Sequence, residues 1–234
     1  MTNENRRCAE PPSHLRGSLP SVDRLLQFLG GNLKTDAGLP LHRAAYRPEN
    51  ILPATIRRAH RFGPPELLVG ADGRLPFAWL YAAHSVKTAL WEAQFCKNDA
   101  TRPGTYYLDA SAVEYGVVAE LRFSRDLRLW DLNGSASSRL GIFDEISSPD
   151  HEWCQWFGYL LHEAMESQDP AKRPDGFIYP SRRHRGHTAV AISLSALENL
   201  RSGVVYVQRP FVDTAEYAEA LAGPLRVLPP VLCA

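Results

Sequence analysis

Short apolar segments bounded by turn residues, interrupted by two longer amphipathic segments, constrain the fold of this sequence more than any other feature. The strand candidates lie at residues 79–83, 117–123, 127–132, 176–180, 188–194 and 204–208. The helical segments are too few to alternate with these strands, as a doubly wound parallel sheet would require. The pattern therefore predicts an α+β fold, a single domain in which a small antiparallel-rich sheet is flanked by helices.

Both helical segments have clear start signals. Ser85 can cap a helix whose apolar positions between Val86 and Ala93 fall on one face. The second helix starts near Asp150, points several large apolar side chains inward, and must end before Pro170. We therefore expect both helices to pack against the sheet.

The first forty residues have the character of an N-terminal extension. Ser21 caps a short amphipathic helix that ends at Gly30, and we expect this helix to pack on the body of the protein or on a partner. Residues 31–40 are predicted to form a linker. This division gives an extension, residues 1–40, and a catalytic domain, residues 41–234.

Charge and cysteine usage narrow the functional classes. The sequence has 26 Lys and Arg residues and 26 Asp and Glu residues, so its net charge is zero. This excludes a protein that binds polyanions through positive charge over its whole surface, but a local basic patch remains possible. No apolar run approaches the roughly 18 residues of a membrane span, and residues 1–19 lack a signal-peptide apolar region, so we expect a cytoplasmic protein. The cysteines, which show no metal-binding or C-x-x-C spacing, are expected to be reduced: Cys8, Cys96, Cys154 and Cys233.

Common catalytic signatures are missing from the sequence. It contains no dinucleotide-binding G-x-G-x-x-G, no phosphate-binding P-loop and no G-x-S-x-G elbow. The histidines are dispersed and no carboxylate spacing completes a ligand set, so no metal site is predicted. Cys154 lies on the apolar helix and is interpreted as a small buried hydrophobe rather than a nucleophile.

Two basic segments could recognise phosphate. Arg43 lies in the strand-like LHRAAY, and Arg61 lies in RRAHRFGPP, which ends in a turn. A guanidinium presents a planar fork of donors that matches phosphate oxygens. The alternative is that both arginines lie solvated on the protein surface.

A tyrosine and a glutamate follow these segments. Tyr81 lies in the strand before the first helix, and Glu92 lies at the boundary of that helix's buried stripe. Glu92 could stabilise positive charge developing at a sugar C1 or orient a ribose hydroxyl. Structurally, it could instead lie at the surface or pair with Lys97.

The third feature is a strand that ends in a basic loop. Residues 175–180 lead to Ser181, and arginines and histidines follow as far as His187. Such a loop could hold a phosphate or a nucleotide edge. The alternative is a solvated basic loop with no ligand.

Taken in order, these features resemble the RES domain, a family named for its arginine, glutamate and serine. The resemblance spans about residues 41–200: Arg43 in LHRAAY, then Arg61 in RFGPP, then L-Y-x-A leading into S-x-x-T-A-x-x-E, which ends at Glu92. The motif D-G-x-x-x-P-S follows intact and ends at Ser181.

The sequence departs from the family pattern in two ways. Gly63 stands where the family commonly has an asparagine, and residues 66–76 lengthen the connection to the tyrosine strand. Arg74 is therefore a rival to Arg61 for the role of second phosphate ligand.

The resemblance implies a fold similar to that of ADP-ribosyltransferases and a toxin that degrades NAD. Glu92 would stabilise the ribose cation, Arg43 and Arg61 would bind the pyrophosphate, Tyr81 would pack on nicotinamide or ribose, and Ser181 would fix a ribose or phosphate oxygen. On this basis the catalytic residues are Glu92, Arg43 and Ser181. NAD is a substrate, and neither a metal nor another cofactor is implied.

The resemblance leaves the acceptor of the ADP-ribose open. Inorganic phosphate or water would make the protein an NAD phosphorylase or glycohydrolase, and a protein acceptor would make it a mono-ADP-ribosyltransferase. A non-catalytic module that binds nucleic acid through residues 181–187 is the alternative of another class, and the neutral net charge argues against it. The implied partner is an Xre-like antitoxin, which would form a hetero-oligomer with the toxin.

Overall fold

A computed structural model describes residues 9–31, 33–36 and 38–230. The strands are β1 Leu33–Asp36, β2 Leu41–Ala45, β3 Trp79–Ala83, β4 Cys96–Asn98, β5 Tyr106–Leu108, β6 Val117–Arg122, β7 Leu127–Asp131, β8 Gly176–Pro180, β9 Thr188–Ser193 and β10 Val205–Pro210. The helices are α1 Val22–Leu29, α2 Val86–Glu92, α3 Ala110–Tyr115, α4 Ser135–Leu140, α5 His151–Glu166, α6 Leu194–Leu200 and α7 Ala215–Ala222.

The main sheet confirms the predicted α+β class. Its strand order is β1-β7-β8-β9-β3-β2-β6-β10, and every neighbouring pair is antiparallel except β7 and β8. Within the part of the chain that the structure describes, the sheet has eight strands and is larger than the small sheet expected from the sequence. Strands β4 and β5 form a separate hairpin.

The main sheet is nearly divided in two. Strands β2 and β3 pair through one residue pair, His42 with Ala83, whereas β2 pairs with β6 and β3 with β9 over five residues each. A five-stranded part (β1, β7, β8, β9, β3) and a three-stranded part (β2, β6, β10) therefore diverge beyond this pair. This divergence leaves the carbonyl of Tyr81 on β3 free to meet a side chain.

Local capping fixes the predicted helices. The Ser85 side chain accepts a hydrogen bond from the amide of Thr88, and Asp150 accepts one from Trp153 at 3.1 Å. Helices α2 and α5 begin at the residues directly after these caps. Both predicted helix starts are thus confirmed.

The predicted linker is wrong, because residues 33–36 form strand β1. This strand pairs antiparallel with β7 at the edge of the main sheet. Its short polar sequence LKTD carries no apolar alternation, so only the distant partner β7 makes it a strand. Helix α1 packs on α5 and α4 with Leu25 and Leu29 fully buried, so the body of the protein covers its apolar face.

Alternating side chains of β8 supply both faces of the sheet. Phe177 and Tyr179 join the larger core, which includes the inner faces of α2 and α5. Ile178 points the other way, into the smaller core under α6. Strand β8 therefore delivers Tyr179 to the face that carries α2.

The cysteines in the described part of the chain are free thiols. Cys96 and Cys154 are both buried, and Cys8 and Cys233 lie outside the described residues. Within the same described ranges, no helix combines the length and the apolar character needed to cross a bilayer.

Candidate active site

A carboxylate cluster joins the end of α2 to the end of β8. Glu92, the last residue of α2, is half-buried and accepts a hydrogen bond from the Ser181 hydroxyl at 2.6 Å on Oε1. Its Oε2 accepts a second one from the Tyr179 hydroxyl at 2.9 Å. The expected alternative, a pair with Lys97, does not form, because Lys97 binds Asp109 at 2.5 Å. We call Glu92, Tyr179 and Ser181 the carboxylate cluster.

Ser181 is held by the loop that follows it. Its amide donates to the carbonyl of His187 at 2.8 Å, and its hydroxyl oxygen accepts from the amide of His184 at 2.9 Å. The hydroxyl proton is therefore left to bond Glu92. In this structure Ser181 orients the carboxylate, and a ribose or phosphate oxygen would have to compete for its hydroxyl.

The start of β8 is fixed by close packing and by hydrogen bonds. A Cβ atom at Gly176 would lie 2.0 Å from the carbonyl oxygen of Ala191 on β9, so only glycine fits. The preceding Asp175 is buried and accepts two hydrogen bonds from the Arg125 guanidinium, both at 2.7 Å. The acidic residue of the D-G-x-x-x-P-S motif thus anchors the far end of the strand and does not reach Glu92.

Arg43 bridges the divergence between the two parts of the sheet. Its guanidinium donates to the carbonyl of Tyr81 on β3 and to the carbonyl of Asn50 at 3.1 Å. Burial lowers the pKa of Arg43 to about 10, which leaves it cationic at neutral pH. The predicted arginine and the predicted tyrosine are therefore adjacent, joined through the tyrosine's backbone.

Arg61 is held in a similar way. Its guanidinium donates to the carbonyls of Ile146 and Ser148, and its Nε lies 3.4 Å from the Cys154 sulfur. Burial raises the pKa of the Cys154 thiol, which fits the interpretation of this cysteine as an unreactive core residue.

The residue after Arg61 fixes its position. The amide of Phe62 donates to the Tyr81 hydroxyl at 3.0 Å, and its carbonyl accepts from the Trp79 indole at 2.7 Å. Helix α5 packs directly below, where a Cβ at Gly158 would lie 2.0 Å from the Phe62 oxygen. The segment that carries Arg61 is thus held between β3 and α5.

Arg74, the rival to Arg61, lies on the surface. Its side chain is 89% exposed and pairs with Asp72 at 3.1 Å. The Arg61 cation, in contrast, is close enough to counteract the rise that burial causes in the pKa of Tyr81. Of the two arginines, Arg61 is the one near the predicted tyrosine.

The basic loop contributes a third guanidinium. Burial lowers the pKa of Arg182, as do the neighbouring cations Arg61 and Arg183, whereas Glu92 opposes the shift. Arg182 is thus close enough to Arg61 and to Glu92 to interact with both of their charges, while Arg185 is exposed. We call Arg43, Arg61 and Arg182 the arginine cluster.

Tyr81 connects the two clusters. Its ring is half-buried and packs edge-on against Tyr179, with ring centres 6.3 Å apart. All five predicted site residues lie in one connected region: Arg43, Arg61, Tyr81, Glu92 and Ser181.

A comparison with protein-family models gives a match to the RES domain over residues 40–214. The chain belongs to the RES domain family. The matched part of this RES domain includes both clusters and leaves out helix α1, strand β1 and helix α7. No curated protein and no solved structure gave a match.

Sequence reasoning missed Tyr179 in this RES domain. The residue lies in a predicted strand, two positions before Ser181, and strand alternation would have placed its side chain on an inward face. Nothing in the sequence gives the distance between β8 and α2, so the hydrogen bond from Tyr179 to Glu92 could not be predicted. Arg182 was a candidate only as one of several loop arginines.

The arrangement suits the stabilisation of a cation beside a bound polyanion. Glu92 supplies negative charge with its orientation fixed by two donors, and the arginine cluster supplies positive charge nearby. Among the residues that the structure describes, no group of three or more histidine, cysteine or acidic side chains could hold a metal ion.

Proposed function

We propose that this RES domain protein degrades NAD by cleaving the bond between nicotinamide and ribose, as the toxin of a toxin-antitoxin pair. The observation that carries the proposal is the Glu92 carboxylate, held by Tyr179 and Ser181 beside the arginine cluster. The resemblance to the RES domain family supplies the substrate.

Cleavage of the bond between ribose and nicotinamide does not need a proton donor. When the bond from ribose C1 to nicotinamide breaks, its electron pair leaves with the ring nitrogen, and the already cationic nicotinamide departs neutral. Positive charge then develops on the ribose, where a fixed carboxylate lowers the barrier. We assign this role to Glu92.

The arginine cluster is proposed to bind the pyrophosphate. Arg61, Arg182 and Arg43 each interact electrostatically with a member of the carboxylate cluster, and together they would carry this contact. Every nitrogen of the Arg43 guanidinium already donates to a backbone carbonyl, so a phosphate oxygen there must share or displace one of these bonds. Tyr81 would pack on nicotinamide or ribose from the floor of the site.

The acceptor of the ADP-ribose is proposed to be inorganic phosphate or water. A phosphate needs a second anion site near ribose C1, and Arg182, Arg183 and Arg185 are the candidates. Attack by a phosphate oxygen forms the new C1–O bond directly, whereas attack by water also releases a proton.

The proposed partner is an Xre-like antitoxin that blocks the site. This part of the proposal follows from the family resemblance, and it places the protein in a hetero-oligomer when inactive. The activity test therefore needs protein that has been purified free of any bound partner.

The test follows nicotinamide release from NAD, with and without phosphate, by chromatography and mass spectrometry. We expect release by the wild-type protein and a loss of at least about 100-fold in Glu92→Gln, because its neutral amide cannot stabilise the ribose cation. Glu114→Gln is the matched control, since Glu114 is exposed on α3. Its rate should equal that of the wild type.

Each other outcome selects a rival. Intact NAD after incubation with partner-free wild-type protein contradicts the proposal. ADP-ribose attached to a macromolecule would identify a mono-ADP-ribosyltransferase instead. Salt-sensitive binding of DNA without NAD turnover would identify a nucleic-acid-binding module.

A further inference from the structure

The structure assigns to Tyr179 the role of a positioning residue that holds Glu92 in its working orientation. This inference rests on the proposed function, because it states how the carboxylate of that site is kept in place. It concerns a residue that the sequence did not single out.

The ring of Tyr179 is fixed by its surroundings. Only 1% of the residue is exposed. The ring packs edge-on against Phe62 with centres 5.0 Å apart, and it contacts the rings of Phe177 and Tyr81 as well. A side chain enclosed by aromatic rings cannot change rotamer without moving its neighbours. The hydroxyl of Tyr179 is therefore presented at a fixed point.

The hydroxyl has one proton, and that proton goes to Glu92. Burial, and next the negative charge of Glu92, raise the pKa of Tyr179 well above its usual value, so the hydroxyl stays protonated and remains a donor. The distance of 2.9 Å to Oε2 is that of a good hydrogen bond.

Two donors on different oxygens fix the plane of the carboxylate. The terminal torsion of a glutamate is broad, and a single hydrogen bond would leave the group free to turn about that contact. Ser181 holds Oε1 and Tyr179 holds Oε2. Ser181 is held by the loop that follows it, in which residues 185–187 are exposed, whereas the Tyr179 ring is enclosed by the core, so Tyr179 supplies the rigid reference point.

Orientation matters because a charge helps only where the cation develops. A carboxylate that must reorient during the reaction loses part of its stabilising effect. Removing the Tyr179 hydroxyl should therefore lower kcat and leave substrate binding nearly unchanged. A purely structural role would lower thermal stability and would not single out kcat.

The experiment compares Tyr179→Phe with the wild-type protein in the nicotinamide-release assay. We expect kcat to fall about 10- to 100-fold, the effect of losing a hydrogen bond to a charged group, with KM changed less than about twofold. Tyr106→Phe is the matched control, because the Tyr106 hydroxyl donates to the carbonyl of Ala220 at 2.8 Å, away from the cluster. The control should keep its wild-type kcat.

A second variant tests whether losing the other hydrogen-bond donor to Glu92 has the same effect on kcat. In Ser181→Ala the other donor to Glu92 is lost, and we expect a fall in kcat of the same kind, with KM again nearly constant. If wild-type protein releases nicotinamide and Tyr179→Phe keeps its kcat, or loses kcat only in proportion to a loss of folded protein by circular dichroism, the inference is wrong. If the wild type releases no nicotinamide, the proposed function fails first.

Discussion

The two clusters of the site are built from different kinds of hydrogen bond. In the carboxylate cluster, side chains bond to a side chain: two hydroxyl groups hold Glu92. In the arginine cluster, Arg43 and Arg61 bond to backbone carbonyls of neighbouring segments. One cluster therefore orients a charged group, whereas the other also holds the polypeptide together.

This difference separates activity from stability. A change at Glu92 or at the Tyr179 hydroxyl should alter catalysis and leave the backbone where it is. A change at Arg43 or Arg61 leaves carbonyl groups without donors and should alter stability as well.

The largest expected effect is on the stability of Arg43→Ala. The variant leaves the carbonyls of Tyr81 and Asn50 without their donor at the divergence of the sheet. We expect the free energy of unfolding to fall by about 2 to 3 kcal/mol, measured by urea denaturation. Glu92→Gln should change it little.

The matched control for this variant is Arg47→Ala. Arg47 lies two residues after β2, its side chain is 74% exposed, and its contact with Glu49 is long, at 4.0 Å. Its loss should leave stability nearly unchanged. Equal stability of the two variants would contradict the proposed division between the clusters.

The next prediction asks whether the arginine cluster also binds substrate. Arg61→Lys keeps the charge but loses the planar fork of donors, so we expect the KM for NAD to rise about tenfold, or about 1.4 kcal/mol. Arg74→Lys, on the exposed loop, should keep the wild-type KM. A larger effect for Arg74 would reverse the assignment of the second phosphate ligand.

The smallest effect concerns pH. Burial lowers the pKa of His184, as do the stacked His187 ring and the Lys87 cation. The unfolded chain then binds this proton more tightly than the folded protein does. Stability should therefore fall as the pH drops below about 6.5.

The variant that tests this pH dependence is His184→Asn, whose amide can still bond Thr88. We expect a weaker fall in melting temperature between pH 7 and pH 5 than in the wild type. His14→Asn, at an exposed position, serves as the control. An unchanged pH dependence in His184→Asn would show that other groups dominate.

Local signals in the sequence predicted the parts of the fold that local interactions determine. Ser21, Ser85 and Asp150 each cap a helix at the predicted residue, because a cap needs only the next three residues. Strand β1 was missed because its polar sequence becomes a strand only beside β7, about a hundred residues away.

The candidate site shows the same division between features set by local sequence and features set by distant partners. The residue types of Arg43, Glu92 and Ser181 stood out because each is polar where an apolar core was expected. Their actual partners depend on how β3, β8 and α2 meet, which no local pattern encodes. The use of both Arg43 and Arg61 as donors to backbone carbonyls was likewise outside the reach of the sequence.

The closed loop after Ser181 has a consequence for the approach of charged molecules. Arg182, Arg183 and Arg185 lie on a short segment whose ends are joined by the bond from the Ser181 amide to His187. Their combined potential extends roughly 10 Å into solution at 0.1 M salt. A protein with no net charge can in this way attract anions to one side of its surface, and the encounter rate slows as ionic strength rises.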